Sequence, residues 1–112
     1  MNKPWLAHYD EGVPHTLALT PAPLPALLEA AAADFPATPA ISFYSRTLTY
    51  GDLHREALRF ARGLRKAGVE PGERVLLLLP NVPQAVICYS GALRAGAVVV
   101  LTTPLFDAEA LT

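Results

Sequence analysis

Two uninterrupted apolar runs, Val75–Leu79 (VLLLL) and Ala97–Leu101 (AVVVL), constrain this chain more than any other feature. Each has the length of a strand and neither alternates with polar residues, so each reads as a strand buried on both faces. Between them, Asn81 to Ala95 has helical spacing, with Val82, Val86, Tyr89 and Leu93 on one face and Gly96 as terminator. Asn81 is the expected N-cap, with Gln84 as its capping-box partner. Strand, helix and strand in this order predict a parallel βαβ unit with a right-handed crossover. Two parallel strands of this kind need helices above and below and more strands beside them. The expectation is therefore the beginning of a larger α/β domain, cut while the segment PLFDAEALT is still running.

The upstream elements fit such a domain. Residues 1–23 carry prolines at 4, 14, 21 and 23 and no clear periodicity. They read as an extended arm with Trp5, Leu6 and Tyr9 as anchors, or as a disordered tail. A first helix is expected from Pro25 to about Phe35, burying Leu24, Leu27, Leu28, Ala31 and Phe35, and ended by Pro36. Ile41 and Phe43 alternate with Ser42 and Tyr44 before a turn at Ser45–Arg46, the signature of a β-hairpin. Thr49 and Asp52 form a variant capping box for a second helix, with Leu53, Ala57, Phe60, Ala61 and Leu64 as its buried stripe. Gly68 supplies a left-handed C-terminal residue, and EPGE (70–73) a type II turn.

Composition narrows the function classes. The chain of 112 residues is 52% hydrophobic and 17% charged, enough to build a core. A net charge of −1 argues against a nucleic-acid binder. The single cysteine, Cys88, excludes an internal disulfide framework and predicts a reducing, cytoplasmic setting. The opening MNKPWLAHYDEGVP has no apolar core of the kind a secretory signal needs. From Val75 to Leu101 the only charge is Arg94, but Pro80, Asn81, Pro83 and Gln84 cut that stretch into pieces too short to span a bilayer.

Candidate chemistry is sparse. Arg55, Arg59, Arg62 and Lys66 recur on the helix face opposite the core, a pattern that suits a phosphate surface but more simply a solvated face. Cys88 lies in an apolar helix, where cysteine is usually a small core residue. His8, His15 and His54 lack metal-ligand spacing, and the adjacent Asp10 and Glu11 cannot flank a substrate as a glycosidase pair does. Pro80–Gln84 opens a helix after a strand, yet has no glycine to let a phosphate approach, so ordinary turn chemistry is expected.

Three phrases in order, LTYGDL (48–53), GVEPGERVLLLLPNVPQ (68–84) and GALRAGAVVV (91–100), resemble the adenylate-forming (AMP-binding) superfamily. The opening PWLAHYDEGVP and the closing PLFDAEAL are similar to bacterial long-chain fatty acid–CoA ligases, the acyl-CoA synthetases. The resemblance implies an α/β fold: the N-terminal portion of an acyl-CoA synthetase-like large domain, with a β-hairpin and a parallel βαβ unit flanked by helices. Residues 1–23 would be the arm and 24–112 the start of the AMP-binding large domain. It implies an enzyme that uses ATP and Mg²⁺ to convert a fatty acid to an acyl-adenylate and then transfers the acyl group to coenzyme A. The family's phosphate loop, adenine and ribose motifs and catalytic lysine lie downstream of these residues, so the stretch by itself is expected to be catalytically silent and to hold no cofactor.

Thr103, Pro104 and Leu105 are the candidate ligand contacts, because the matching turn lies near coenzyme A in related synthetases; a plain strand-to-helix turn is the simpler alternative. Thr103 departs from the Asn often found before that proline, and Leu101–Thr102 from the Pro or Thr–Asn of many ligases. The implied partners are the rest of the polypeptide and a fatty acid. No nucleic acid is expected, and any peripheral membrane contact belongs to the longer enzyme. A homodimer is one way to cover apolar surface left open. Other adenylating enzymes, aryl-CoA or amino-acid-activating, and a stand-alone α/β binding or scaffold protein remain as alternatives.

Overall fold

In the computed structural model, residues 2–105 and 109 are described. A short 3-10 turn, Pro4–His8, precedes helix α1 (Leu24–Asp34). Strands β1 (Pro39–Phe43) and β2 (Arg46–Thr49) follow, then helix α2 (Tyr50–Lys66). Strand β3 (Arg74–Leu78), helix α3 (Pro83–Arg94) and strand β4 (Val98–Thr102) close the described chain. The fold is mixed α/β. β1 and β2 form an antiparallel hairpin, and β3 and β4 pair in parallel with Val75 opposite Val99 and Leu77 opposite Leu101. Most of PLFDAEAL lies outside the described residues.

Local signals set the helix ends. The Thr49 N–H donates to Asp52 Oδ2 at 3.1 Å and the Asp52 N–H donates to Thr49 Oγ1 at 3.1 Å, so the expected capping box is complete. Both long helices end in Schellman motifs built on glycine. Gly68 (φ 95°) follows α2, with the Val69 N–H donating to the Leu64 carbonyl at 3.0 Å; Gly96 (φ 84°) follows α3, with the Ala97 N–H donating to the Ala92 carbonyl at 3.0 Å. The EPGE turn closes through the Glu73 N–H on the Glu70 carbonyl at 3.2 Å.

Several expectations are corrected. The hairpin turn is Tyr44–Ser45, one residue earlier than read, with Tyr44 itself in the left-handed region at φ 51°. The N-cap of α3 is Val82, without a side-chain cap bond, and Asn81 lies one position outside. Pro83 causes this shift: it takes the first helical position, where its fixed φ fits and its missing N–H costs nothing. On α1, Leu24, Leu27 and Phe35 are exposed, and Pro25, Leu28, Ala31 and Ala32 carry the partly covered face. On α3 the buried residues are Gly91 and Ala92, and Val86 is exposed.

The core explains the rotation of α3. Its centre is the α2–α3 crossing, where Leu53, Ala57 and Ala61 of α2 meet Gly91 and Ala92. A Cβ on Gly91 would stand 2.6 Å from the Ala57 carbonyl oxygen, so the close approach of the two helices depends on a glycine at that position. α1 packs on both, and Arg94 pairs with Glu29 at 3.0 Å across the α1–α3 contact.

The strands also differ from the expectation of two covered faces. Leu77 is buried toward α3, whereas Leu76, Leu78, Val98 and Val100 are 54%, 43%, 49% and 39% exposed. The parallel register places these four on one bare face. The arm does not cover it: apart from Leu6, every residue from Asn2 to Leu24 is exposed, and neither Trp5 nor Tyr9 is buried as an anchor. Among the described residues no helix is long and apolar enough to cross a membrane.

Candidate functional site

Parallel strands present their carboxyl ends as the usual ligand edge of an α/β sheet. At this edge β3 and β4 run out at Leu78 and Thr102, and the chain rises through Leu79, Pro80 and Asn81 into α3. The cleft between strand ends and helix has a volume of about 330 Å³. Leu77, Leu79, Ala85, Val86, Tyr89 and Leu101 give it an apolar wall; Asn81 and Thr102 supply polar side chains. Oγ1 of Thr102 is buried without a hydrogen-bond partner. Such an orphan costs about 1–3 kcal/mol when left unpaired, and it sits in a residue that lines this cleft.

The candidate turn follows directly. Thr103 is half-buried and its Oγ1 accepts from the Leu105 N–H at 3.3 Å, which braces the turn around Pro104. Leu105 is 91% exposed. The three residues are not part of the cleft's wall, whereas Thr102, one position upstream, is. Reading the sequence by motif missed Thr102; the carboxyl-edge rule applied to the predicted β4 could have found it.

The other candidates do not assemble a reaction centre. Arg55 pairs with Asp52 at 2.6 Å and Arg59 with Glu56 at 3.2 Å, both on an exposed helix face. The Asp52 carboxyl is held below its ordinary range, first by the Thr49 backbone N–H and then by Arg55 and the Thr49 hydroxyl. Cys88 is half-buried, and burial pushes its thiol up, away from the thiolate a nucleophile needs. His15 stacks edge-on against Tyr9 with ring centres 5.9 Å apart. Among the described residues no group of three or more His, Cys, Asp or Glu is placed to hold a metal ion.

A nucleotide's phosphates do not fit this cleft. None of its lining residues is charged, and Pro83 removes one of the amide donors that a helix N-terminus would offer. The cleft suits an uncharged, mostly apolar group.

Comparison with known proteins extends beyond this edge. The family described as AMP-binding enzyme matches residues 28–112. The long-chain-fatty-acid–CoA ligase of Bacillus subtilis (strain 168) is 46% identical over 109 residues, covering 97% of this chain and 20% of that protein. A solved complex of VinN with 3-methylaspartate superposes with a TM-score of 0.72 at 32% identity, covering 74% of this chain and 23% of that one. The fatty acid AMP ligase of Legionella pneumophila gives a TM-score of 0.69 at 27% identity, covering 79% and 16%. The chain thus spans about a fifth of the length of the relatives it matches. With most of its residues inside the family match, and with the hairpin and parallel strand pair in place, this chain belongs to the AMP-binding enzyme family of adenylate-forming ligases.

Proposed function

We propose that these residues serve an ATP-dependent ligase that activates a fatty acid as its acyl-adenylate and passes the acyl group to coenzyme A. In this reading 24–112 form the first part of its large domain and 1–23 an arm beside it. The observation that carries it is the 46% identity to the Bacillus subtilis fatty acid–CoA ligase across 97% of this chain. The cleft supports the same substrate class, since its wall is apolar and uncharged. Thr103, Pro104 and Leu105 are assigned to the coenzyme A side, where the half-buried Thr103 hydroxyl holds the turn. An amino acid is the second reading, favoured by the likeness to VinN, which is solved with 3-methylaspartate. It is the weaker reading because an amino acid brings two charges and this edge offers no partner for either. ATP and Mg²⁺ would be held by groups other than the described residues, so no catalytic step is assigned to them.

A chimera tests the reading. Residues 4–105 replace the matching stretch of the Bacillus subtilis ligase, and ATP–pyrophosphate exchange is measured with palmitate, benzoate and aspartate. Exchange dependent on palmitate is expected, while the 112-residue chain alone shows none, because stabilising phosphoryl charge needs cations that its cleft lacks. A folded chimera without palmitate-dependent exchange, or exchange by the chain alone, overturns it.

A further inference from the structure

Charge is unevenly placed in this chain. Its formal net charge is −1, yet five of its nine basic side chains, Arg55, Arg59, Arg62, Arg65 and Lys66, lie on α2. All five are exposed, and α1, α3 and the hairpin pack on the other side of the helix. The row extends over about 16 Å, at the helical rise per residue. The two acids of α2 sit in its N-terminal half, where Asp52 holds Arg55 at 2.6 Å and Glu56 holds Arg59 at 3.2 Å. Beyond Glu56 no carboxylate occurs until Glu70. None of the ion pairs among the described residues involves Arg62, Arg65 or Lys66. A Cβ added at Gly63 would meet nothing within 4 Å, so no other part of the chain overhangs the row there. The helix dipole accounts for Arg65 and Lys66 in the last turn, but not for a row that runs back to Arg55.

The kind of partner follows from what the row lacks. From Arg55 to Lys66 the exposed residues are the five cations and Gly63, with no apolar side chain among them. A protein partner draws its affinity from a buried aromatic or apolar centre, and this face offers none. A polyanion asks only for charge. A straight row engages a plane along its whole length, whereas a nucleic-acid duplex engages it only where the two cross. We propose that this face of α2 rests on an anionic lipid bilayer, with Arg62, Arg65 and Lys66 set against the headgroup phosphates. The contact is superficial, because the apolar stripe of α2 is committed to the core through Leu53, Ala57 and Ala61. It is independent of the ligase reading, since it uses neither the cleft nor the comparisons.

The experiment is co-sedimentation of the chain with sucrose-loaded vesicles. One set is phosphatidylcholine alone; the other is equal parts of phosphatidylcholine and phosphatidylglycerol. Binding is expected to the second set only, and to weaken as added salt screens the charges. Each basic side chain near such a surface contributes about five-fold in affinity. Arg62→Gln, Arg65→Gln and Lys66→Gln together should therefore lower it by roughly a hundred-fold. Lys3→Gln, Arg46→Gln and Arg74→Gln together change the net charge equally at exposed positions elsewhere and should leave most of the binding in place. Both triple variants alter exposed side chains, so their folds should hold, as circular dichroism would show. Equal binding to both vesicle sets overturns the proposal, since it would point to the bare apolar sheet face. So does equal loss in the two triple variants, or binding to a DNA duplex without binding to the anionic vesicles.

Discussion

At the scale of single residues, Gly91 carries the tightest constraint in the core. Its missing side chain is what allows α3 to approach α2, because a Cβ there would meet the Ala57 carbonyl oxygen at 2.6 Å and the Phe60 Cβ at 3.0 Å. The nearest of these atoms is backbone and cannot turn aside. Gly91→Ala should therefore push the helices apart, against the small gain in helix propensity that alanine normally brings. A loss of roughly 1–3 kcal/mol is expected in denaturant unfolding, as for other overpacked cores. An unchanged midpoint would show that the two helices slide freely. Nothing in the sequence marks Gly91 as a contact residue: it sits within a helical run, and only the approach of a helix some thirty residues upstream explains it.

At the scale of elements, the capping box and the Schellman motifs decide where the helices start and stop. Thr49→Ala removes the acceptor for the Asp52 N–H and should cost about 1 kcal/mol, read as a lower melting temperature. The same box predicts a pH dependence. Asp52 titrates below its ordinary value in the folded chain, so it binds protons more readily when unfolded. Its contribution is complete above the unfolded value of about 3.9 and is lost as pH falls below that toward the lower folded value. Asp52→Asn should flatten stability across this acid window and leave its slope near neutrality unchanged. Both features were legible beforehand, since the bonds that make the box and the two glycine motifs join residues only a few positions apart. The cap of α3 was not, because Asn81 and Val82 compete for the site and Pro83 settles it.

At the scale of the whole molecule, the bare sheet face dominates. The Cα radius of gyration is 17.9 Å, against about 13 Å expected for a compact chain of this length. The exposed arm contributes to that excess and leaves Leu76, Leu78, Val98 and Val100 open. Contiguous apolar surface of this kind is a site of association. In dilute solution the 112-residue chain should bind an apolar dye and its sedimentation coefficient should rise with concentration. Leu76→Lys with Val98→Lys should suppress both while keeping the helical signal, since both side chains already point to solvent. A monomer at all concentrations with no dye bound would mean that the arm closes over the face in solution.

The sequence by itself determined the order of elements, the hairpin, the parallel pairing of β3 and β4, and the ends of α2. These rest on strand-length apolar runs and on hydrogen bonds spanning a few residues, all of them local. The buried stripe of α2 was read correctly, with Leu53, Ala57 and Ala61 in the core, but the tertiary structure alone decided which side of α1 and α3 is buried. The stripe of α1 is turned so that Leu24, Leu27 and Phe35 face solvent, and α3 buries Gly91 and Ala92 instead of Val86. It also decided that Leu77 is buried while Leu76, Leu78, Val98 and Val100 on the opposite face are bare, and that Thr102 ends beside a cleft. The physical reason is that burial belongs to pairs of surfaces. Apolar periodicity states what a helix can bury, but the residues that come against it, distant in the chain, set what it does bury.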